Sequence, residues 1–238
     1  MPGNRHRSEP PAASGSEPAA EEVLEARRRA RRSRRRERSR EEILQAARRV
    51  LLRTGIGGAT LEAVAQEAGM SKAALYYYFP SKDALLFELV FASVQAHAQQ
   101  VRDAVAATRD GTAALRALIA TLVQGYAREL DDFRLDFLHG QVAGPGSVQV
   151  DAEQFARIRP LNDLMLAGAT GKLAQAGRNR AGLDPRLLAF LAQLSAVGLL
   201  TMKGMVENVD DPLLYSDAQL IDGLAAVFAA AAEPVEEA

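Results

Sequence analysis

The sequence predicts an all-α fold, with a small three-helix unit at the front and a larger helical bundle behind it. Three observations carry that reading. Apolar residues recur at spacings of three and four along most of the chain, and no alternating stretch is long enough for a sheet. Helix-start chemistry recurs too: Ser39, Thr60, Ser71, Ser81, Asp184 and Ser216 each stand just ahead of an apolar-periodic segment. Glycine or proline then stops several of those segments, at Gly55, at Gly69 and at Pro80.

Composition bounds the chemistry. The chain has 238 residues, 48% hydrophobic and 25% charged, which is ordinary for a folded domain with a sizeable core. There is no cysteine, so disulfides, thiolate nucleophiles and cysteine metal sites are excluded. No apolar signal region follows the N-terminus, so a cytoplasmic protein is expected. The most apolar segment, 187–206, is interrupted by Gln193 and Lys203 and reads as a buried helix, so no membrane partner is expected. The net charge of −1 hides an asymmetry. Residues 1–40 hold twelve arginines and six acids; residues 41–85 balance; the remainder is acidic. A basic front end suits contact with a polyanion.

Residues 1–20, rich in Pro, Ser, Gly, Ala and Glu without apolar period, read as disordered. Residues 27–40 hold ten arginines and one acid, Glu37. Such a run repels itself, so residues 1–38 are expected to form a disordered arginine-rich arm that orders on its partner. Ser39-Arg40-Glu41-Glu42 has the form of a capping box and marks a helix start, though the helix can reach back into the arginine run. Ile43, Ala46, Ala47, Val50 and Leu51 share one face of that helix, and Gly55 with Gly57-Gly58 ends it.

Thr60 caps a second helix with Leu61, Val64, Ala65 and Ala68 inward. Ser71 caps a third with Leu75 and Phe79 inward, and Ser81 caps a fourth running to about 108. Further helices are expected near 112–130, 132–139, 152–177, 185–208 and 217–231. Asp184-Pro185 supplies a cap and a first-turn proline, and Ser216–Gln219 forms a second capping box. The clearest break is 143–147.

Two short helices joined by a tight glycine turn can set the second into a DNA major groove. Ser71, Ala73 and Ala74 are small enough for close approach, and Lys72 is long and cationic. Tyr76-Tyr77-Tyr78 spread around about 200° of helix. With Leu75 and Phe79 inward, Tyr76 and Tyr77 are expected to be exposed, with hydroxyls in reach of phosphate or base edges. A helical hairpin with ordinary aromatic packing is the bland alternative. The arginines ahead of it, Arg38 and Arg40 nearest, can follow a phosphate backbone or enter a minor groove; a merely solvated tail is the alternative there.

Residues 39–85 resemble the DNA-binding domain of the TetR/AcrR transcriptional regulators. The resemblance rests on Ile43-Leu44, Ala46-Ala47, Gly55, Thr60, Val64-Ala65, Ala68-Gly69, Ser71-Lys72, Leu75-Tyr76, Phe79 and Ser81-Lys82. It implies that Thr60, Tyr76 and Lys82 touch phosphates, that Lys72 and Ala73 face base edges, and that Tyr77 lies at the groove. Ala73, where the family often has glycine, and Gly57-Gly58 depart from the pattern. The resemblance also implies that residues 86–238 form an effector-binding bundle that dimerises through the helices near 185–208 and 217–231, on a palindromic operator.

In that bundle Leu188, Leu191, Ala192, Ser195, Leu199 and Met202 follow helical spacing, as do Leu220, Leu224, Val227 and Phe228. Candidate pocket residues are His97, Tyr126, Phe133, Phe137, His139, Met165 and Met202, and their character favours a small, largely apolar effector. Nothing suggests an enzyme. His6, His97 and His139 have no metal-ligand spacing, no phosphate-cradling glycine loop is present, and Asp131-Asp132 and Asp210-Asp211 sit where caps are expected. No cofactor or metal is expected. The expected protein is a ligand-responsive DNA-binding regulator, a repressor. Two other readings stay open: a DNA-binding protein without an effector, constitutive or architectural, and a helical interaction module that binds no DNA.

Overall fold

The computed structural model describes residues 17–127, 133, 151–206 and 215–235. Eight helices are described among them: α1 (Glu17–Gly58), α2 (Leu61–Glu67), α3 (Lys72–Tyr78), α4 (Lys82–Ala106), α5 (Gly111–Ala127), α6 (Ala152–Gln175), α7 (Pro185–Val206) and α8 (Asp217–Ala232). Among the described residues no strand forms; Asn179 and Pro234 make an isolated antiparallel bridge. The chain divides into two compact units, one ending at Tyr78 and one beginning at Phe79. That division falls earlier than the boundary expected at 85, because α4 packs on α5 and α6.

The first helix corrects two expectations. It is helical from Glu17, so residues 17–38 are not a disordered arm, and Ser39 lies inside the helix rather than at its start. Residues 1–16 lie outside the described residues. Instead of closing a capping box, the Glu42 carboxylate accepts a hydrogen bond from Arg38 Nε at 3.1 Å. The physical reason is cooperativity. Extending a helix costs far less than nucleating one, arginine is a good helix former, and Ile43, Ala46, Ala47 and Val50 anchor the nucleus by full burial. Ion pairs at i, i+4, Glu25 with Arg29 and Arg38 with Glu42, offset part of the repulsion. Gly55 breaks the helix with φ 68°, and the Ala59 N–H donates to the Gly55 carbonyl at 3.1 Å to close one last turn.

The first unit has a small core: Ile43, Ala46, Ala47, Val50 and Leu51 from α1, Leu61, Val64 and Ala65 from α2, and Leu75 from α3. In the second unit α5 is the central element, packed against α4, α6, α7 and α8. Its Leu115, Leu118, Ile119, Leu122, Val123 and Tyr126 are all buried, as suits a helix apolar on nearly every side. Gly111 and Gly168 mark close helix approaches. A Cβ on Gly111 would stand 2.8 Å from Leu173 Cδ2, and one on Gly168 would stand 2.8 Å from Val105 Cγ1.

Local caps follow the chemistry of their residues. Asp184 accepts from the N–H groups of Arg186 and Leu187, and Ser216 with Gln219 forms a complete capping box. Asp151 with Gln154 forms another at the head of α6. The helix expected at 132–139 and the break at 143–147 lie outside the described residues, apart from Phe133, which is helical and buried.

Candidate nucleic-acid interface

The turn between α2 and α3 is fixed by backbone chemistry. Gly69 has φ 65°, a left-handed conformation that glycine adopts without a Cβ clash. Around it the Met70 N–H donates to the Ala65 carbonyl at 3.0 Å and the Gly69 N–H to the Gln66 carbonyl at 3.1 Å. That pair of bonds is a Schellman motif, which satisfies the last carbonyls of α2 and sends the chain off at a sharp angle. On either side, Thr60 Oγ1 accepts from the Ala63 N–H at 3.1 Å and Ser71 Oγ from the Ala74 N–H at 3.2 Å. Each hydroxyl serves as a cap through its oxygen and keeps its proton to donate outward.

The third helix is held by one fully buried side chain, Leu75. Its other face is open: Ser71, Lys72 and Ala73 are exposed, Tyr76 is 40% and Tyr77 69% exposed, and Tyr78 is half-buried. The exposure of Tyr76 and Tyr77 is what the helical spacing predicts. Lys72 is not extended into solvent. Its Nζ pairs with the Glu62 carboxylate in the first turn of α2 and lies 5.7 Å from the Tyr76 ring centroid. The hydrogen bond from Lys72 holds the Glu62 carboxyl below the ordinary carboxylate range, and the same bond raises the lysine. A second carboxylate, Glu67, receives Arg49 Nε at 2.7 Å and Arg53 Nη2 at 3.2 Å, which ties α2 to α1 and lowers its own pKa. Sequence patterning singled out neither glutamate, because each acts through a partner on another helix.

Of the remaining basic candidates, Arg38 is exposed and paired with Glu42, and Arg40 is half-buried. Lys82 is the first residue of α4, whose N-cap Ser81 accepts from the Ala84 N–H at 3.0 Å. Phe79, Pro80 and Ser81 are all that separates α3 from α4 along the chain. One basic residue missed in the sequence is Arg36, whose guanidinium lies 5.6 Å from the Tyr77 ring centroid.

Only part of the expected pocket set comes together. His97 stacks on Tyr126 with centroids 3.8 Å apart, and Tyr126 meets Phe133 edge-on at 5.6 Å. His97 Nδ1 lies 2.9 Å from the Ser93 carbonyl, one turn back on α4. Met165 is buried in α6. Met202 corrects the expectation: it is 59% exposed and takes no part in the cluster. It belongs to an outward stripe of α7 with Leu187, Phe190, Leu194 and Met205, all exposed, spaced by three and four with Gly198 completing the row. Phe137 and His139 lie outside the described residues. Among the described residues no group of three or more His, Asp or Glu side chains could hold a metal ion.

Known proteins share this architecture. The sequence profile of the bacterial regulatory proteins of the tetR family matches residues 43–89. The chain is 31% identical over 165 residues to the HTH-type transcriptional activator FasR of Mycolicibacterium smegmatis, covering 68% of this chain and 67% of that protein. Solved structures share the fold, among them the two that follow. The regulator FadR of Bacillus subtilis, in complex with stearoyl-CoA, aligns with TM-score 0.64 and 18% identity over 80% of this chain and 98% of its own. AibR, in complex with isovaleryl coenzyme A and operator DNA, aligns with TM-score 0.57 and 23% identity over 81% and 99%. With its glycine-turned helix pair, its open reader face and these relatives, the chain belongs to the tetR family of DNA-binding transcriptional regulators.

Proposed function

We propose that the chain is an effector-responsive repressor that binds a palindromic operator as a homodimer. Residues 39–85 serve as the reader and residues 86–238 as the effector-binding and dimerisation part. The observation that carries this is the reader face: Ser71, Lys72, Ala73, Tyr76 and Tyr77 stand open on a helix anchored by one buried leucine. In this reading Lys72 and Ala73 face base edges, Thr60, Tyr76 and Lys82 touch phosphates, and Arg38 and Arg40 approach the backbone. The exposed stripe of α7 supports the dimer, since a two-fold operator calls for a two-fold protein.

The effector is a largely apolar molecule, and an acyl thioester of coenzyme A is its best-supported class, because FadR and AibR each hold one. His97 and Tyr126, stacked on one another with α4 leading back to α3 by three residues, place an aromatic cluster on the helix that follows the reader. An effector that prefers one arrangement of that helix over another changes the spacing of the two readers, and DNA in turn weakens effector binding by the same factor.

The test is direct. A duplex selected by the protein from a random pool serves as operator, and stearoyl-CoA, isovaleryl-CoA and coenzyme A alone are titrated into the complex. Release by an acyl thioester but not by coenzyme A supports the reading. Tighter binding with an acyl thioester makes the effector a corepressor or coactivator and overturns release. No response to any of the three overturns the acyl thioester class.

A further inference from the structure

The arginines of α1 are not spread evenly around the helix. Arg28, Arg32 and Arg35 fall on one face, with Arg29 and Arg36 beside them. Arg32, Ser33, Arg35 and Arg36 line a cleft of about 440 Å³ whose other wall is Tyr77 and Tyr78 of α3. One contact crosses the cleft and one lies within its tyrosine wall. Arg36 lies over the Tyr77 ring, and Tyr77 stands edge-on to Tyr78 with centroids 5.3 Å apart. Among the described residues Arg32, Arg35 and Arg36 have no carboxylate within ion-pair distance, whereas Arg29 is paired with Glu25 and Arg38 with Glu42.

Three guanidinium groups gathered without an ion-paired carboxylate of their own repel one another, and an anion between them relieves that repulsion. Planar guanidinium forks match phosphate oxygens in pairs. The shape of the basic face points to a chain of phosphates rather than a single ion. A neighbouring cleft lined by Glu25, Arg28, Arg29 and Arg32 continues the face. From Arg28 to Arg36 the helix rises by about 12 Å, against about 3.4 Å of axis per phosphate along one DNA strand.

We propose that the cleft between the arginine face of α1 and Tyr77 of α3 is a phosphodiester-binding site for the duplex backbone. It makes the extension of α1 a second, sequence-independent DNA contact beside the reader. The proposal rests on the reading of α3 as the DNA reader.

The experiment compares two full-length triple variants of equal charge. Arg32→Ala with Arg35→Ala and Arg36→Ala empties the cleft; Arg27→Ala with Arg31→Ala and Arg34→Ala removes the same charge from another face of the helix. Both are exposed, and matched helicity and thermal midpoints show that neither has lost the fold. Affinity is measured against salt for a duplex of about 30 base pairs selected by the wild-type protein, and for a scrambled duplex of the same length. Emptying the cleft lowers the slope of log affinity against log salt by about 2 to 3, and the loss is the same on both duplexes. The other triple lowers it by less than about 1. Equal slopes for the two triples would overturn the site, as would a loss confined to the selected duplex. Wild-type protein that binds neither duplex overturns the reader itself, and that result appears before any arginine is changed.

Discussion

Gly69 holds φ at 65°, and a Cβ built there meets nothing within 4 Å. Substitution by alanine therefore meets no steric clash and costs only the left-handed backbone, about 1 kcal/mol. Gly69→Ala should lower stability in urea by that amount without changing the denaturant slope; a loss several times larger would mean the turn is held by packing instead. Glu62 is the second informative residue. It pairs with Lys72, the cation proposed to face base edges, and carries negative charge onto the proposed reader face. Glu62→Gln should therefore tighten binding to any duplex, most at low salt, because it removes both the competing partner and a like charge near phosphate. Electrophoretic or fluorescence titration checks this, and weaker binding would mean that Glu62 positions Lys72 rather than restraining it.

Elements report where charge and packing cooperate. The α1–α2 contact leans on Glu67, held by Arg49 and Arg53. Its folded pKa is depressed first by the hydrogen bond from Arg49 and then by that from Arg53. A depressed carboxylate contributes stability above its unfolded pKa and loses it as pH falls through the folded value. Acidification below about pH 4.5 should then loosen α2, seen as faster amide exchange in Val64 and Ala65. In Glu67→Gln that exchange should already be raised at neutral pH and should change less with acid; unchanged acid sensitivity would assign the loosening to another carboxylate. In the second unit Arg157 plays a comparable part from α6. It pairs with both oxygens of Glu88, at 2.6 and 3.0 Å, and lies over Phe87 and Phe91, so a planar guanidinium joins α6 to α4 by charge and by ring contact together. These pairings were illegible in the sequence because they join residues far apart in the chain. The caps at Thr60, Ser71 and Ser81 were legible because cap chemistry is local. Ser39 shows the limit of local pattern: its box is present, but a helix already growing through the arginines overrides it.

At the scale of the whole molecule, the proposed dimer rests on α7. By length and composition it could cross a membrane, yet one of its faces is buried in the bundle. Its inner face, Leu188, Ala189, Ala192, Ala196 and Leu200, fills the bundle. Its outer face, Leu187, Phe190, Leu194, Met202 and Met205, is exposed, and Gly198 at the centre of that row allows a second helix to approach closely. Periodicity in the sequence could not separate the two faces, since both are apolar, which is why Met202 reads as a pocket residue until burial is known. Lys203 lies on neither; it pairs with Asp217 at the head of α8 and ties the two C-terminal helices together. In the proposed dimer a second copy of α7 covers the stripe, which also matches the symmetry of a two-fold operator. Leu194→Glu places a charge at the middle of the stripe without touching the bundle core, so the monomer should keep its helicity and thermal midpoint. Sedimentation at micromolar concentration should show monomer where the wild-type protein shows dimer. Affinity for a selected palindromic duplex should fall steeply, while affinity for a scrambled duplex changes little, because each remaining reader still meets phosphate but no longer arrives in pairs. A Leu194→Glu protein that still sediments as a dimer would move the interface off this face of α7.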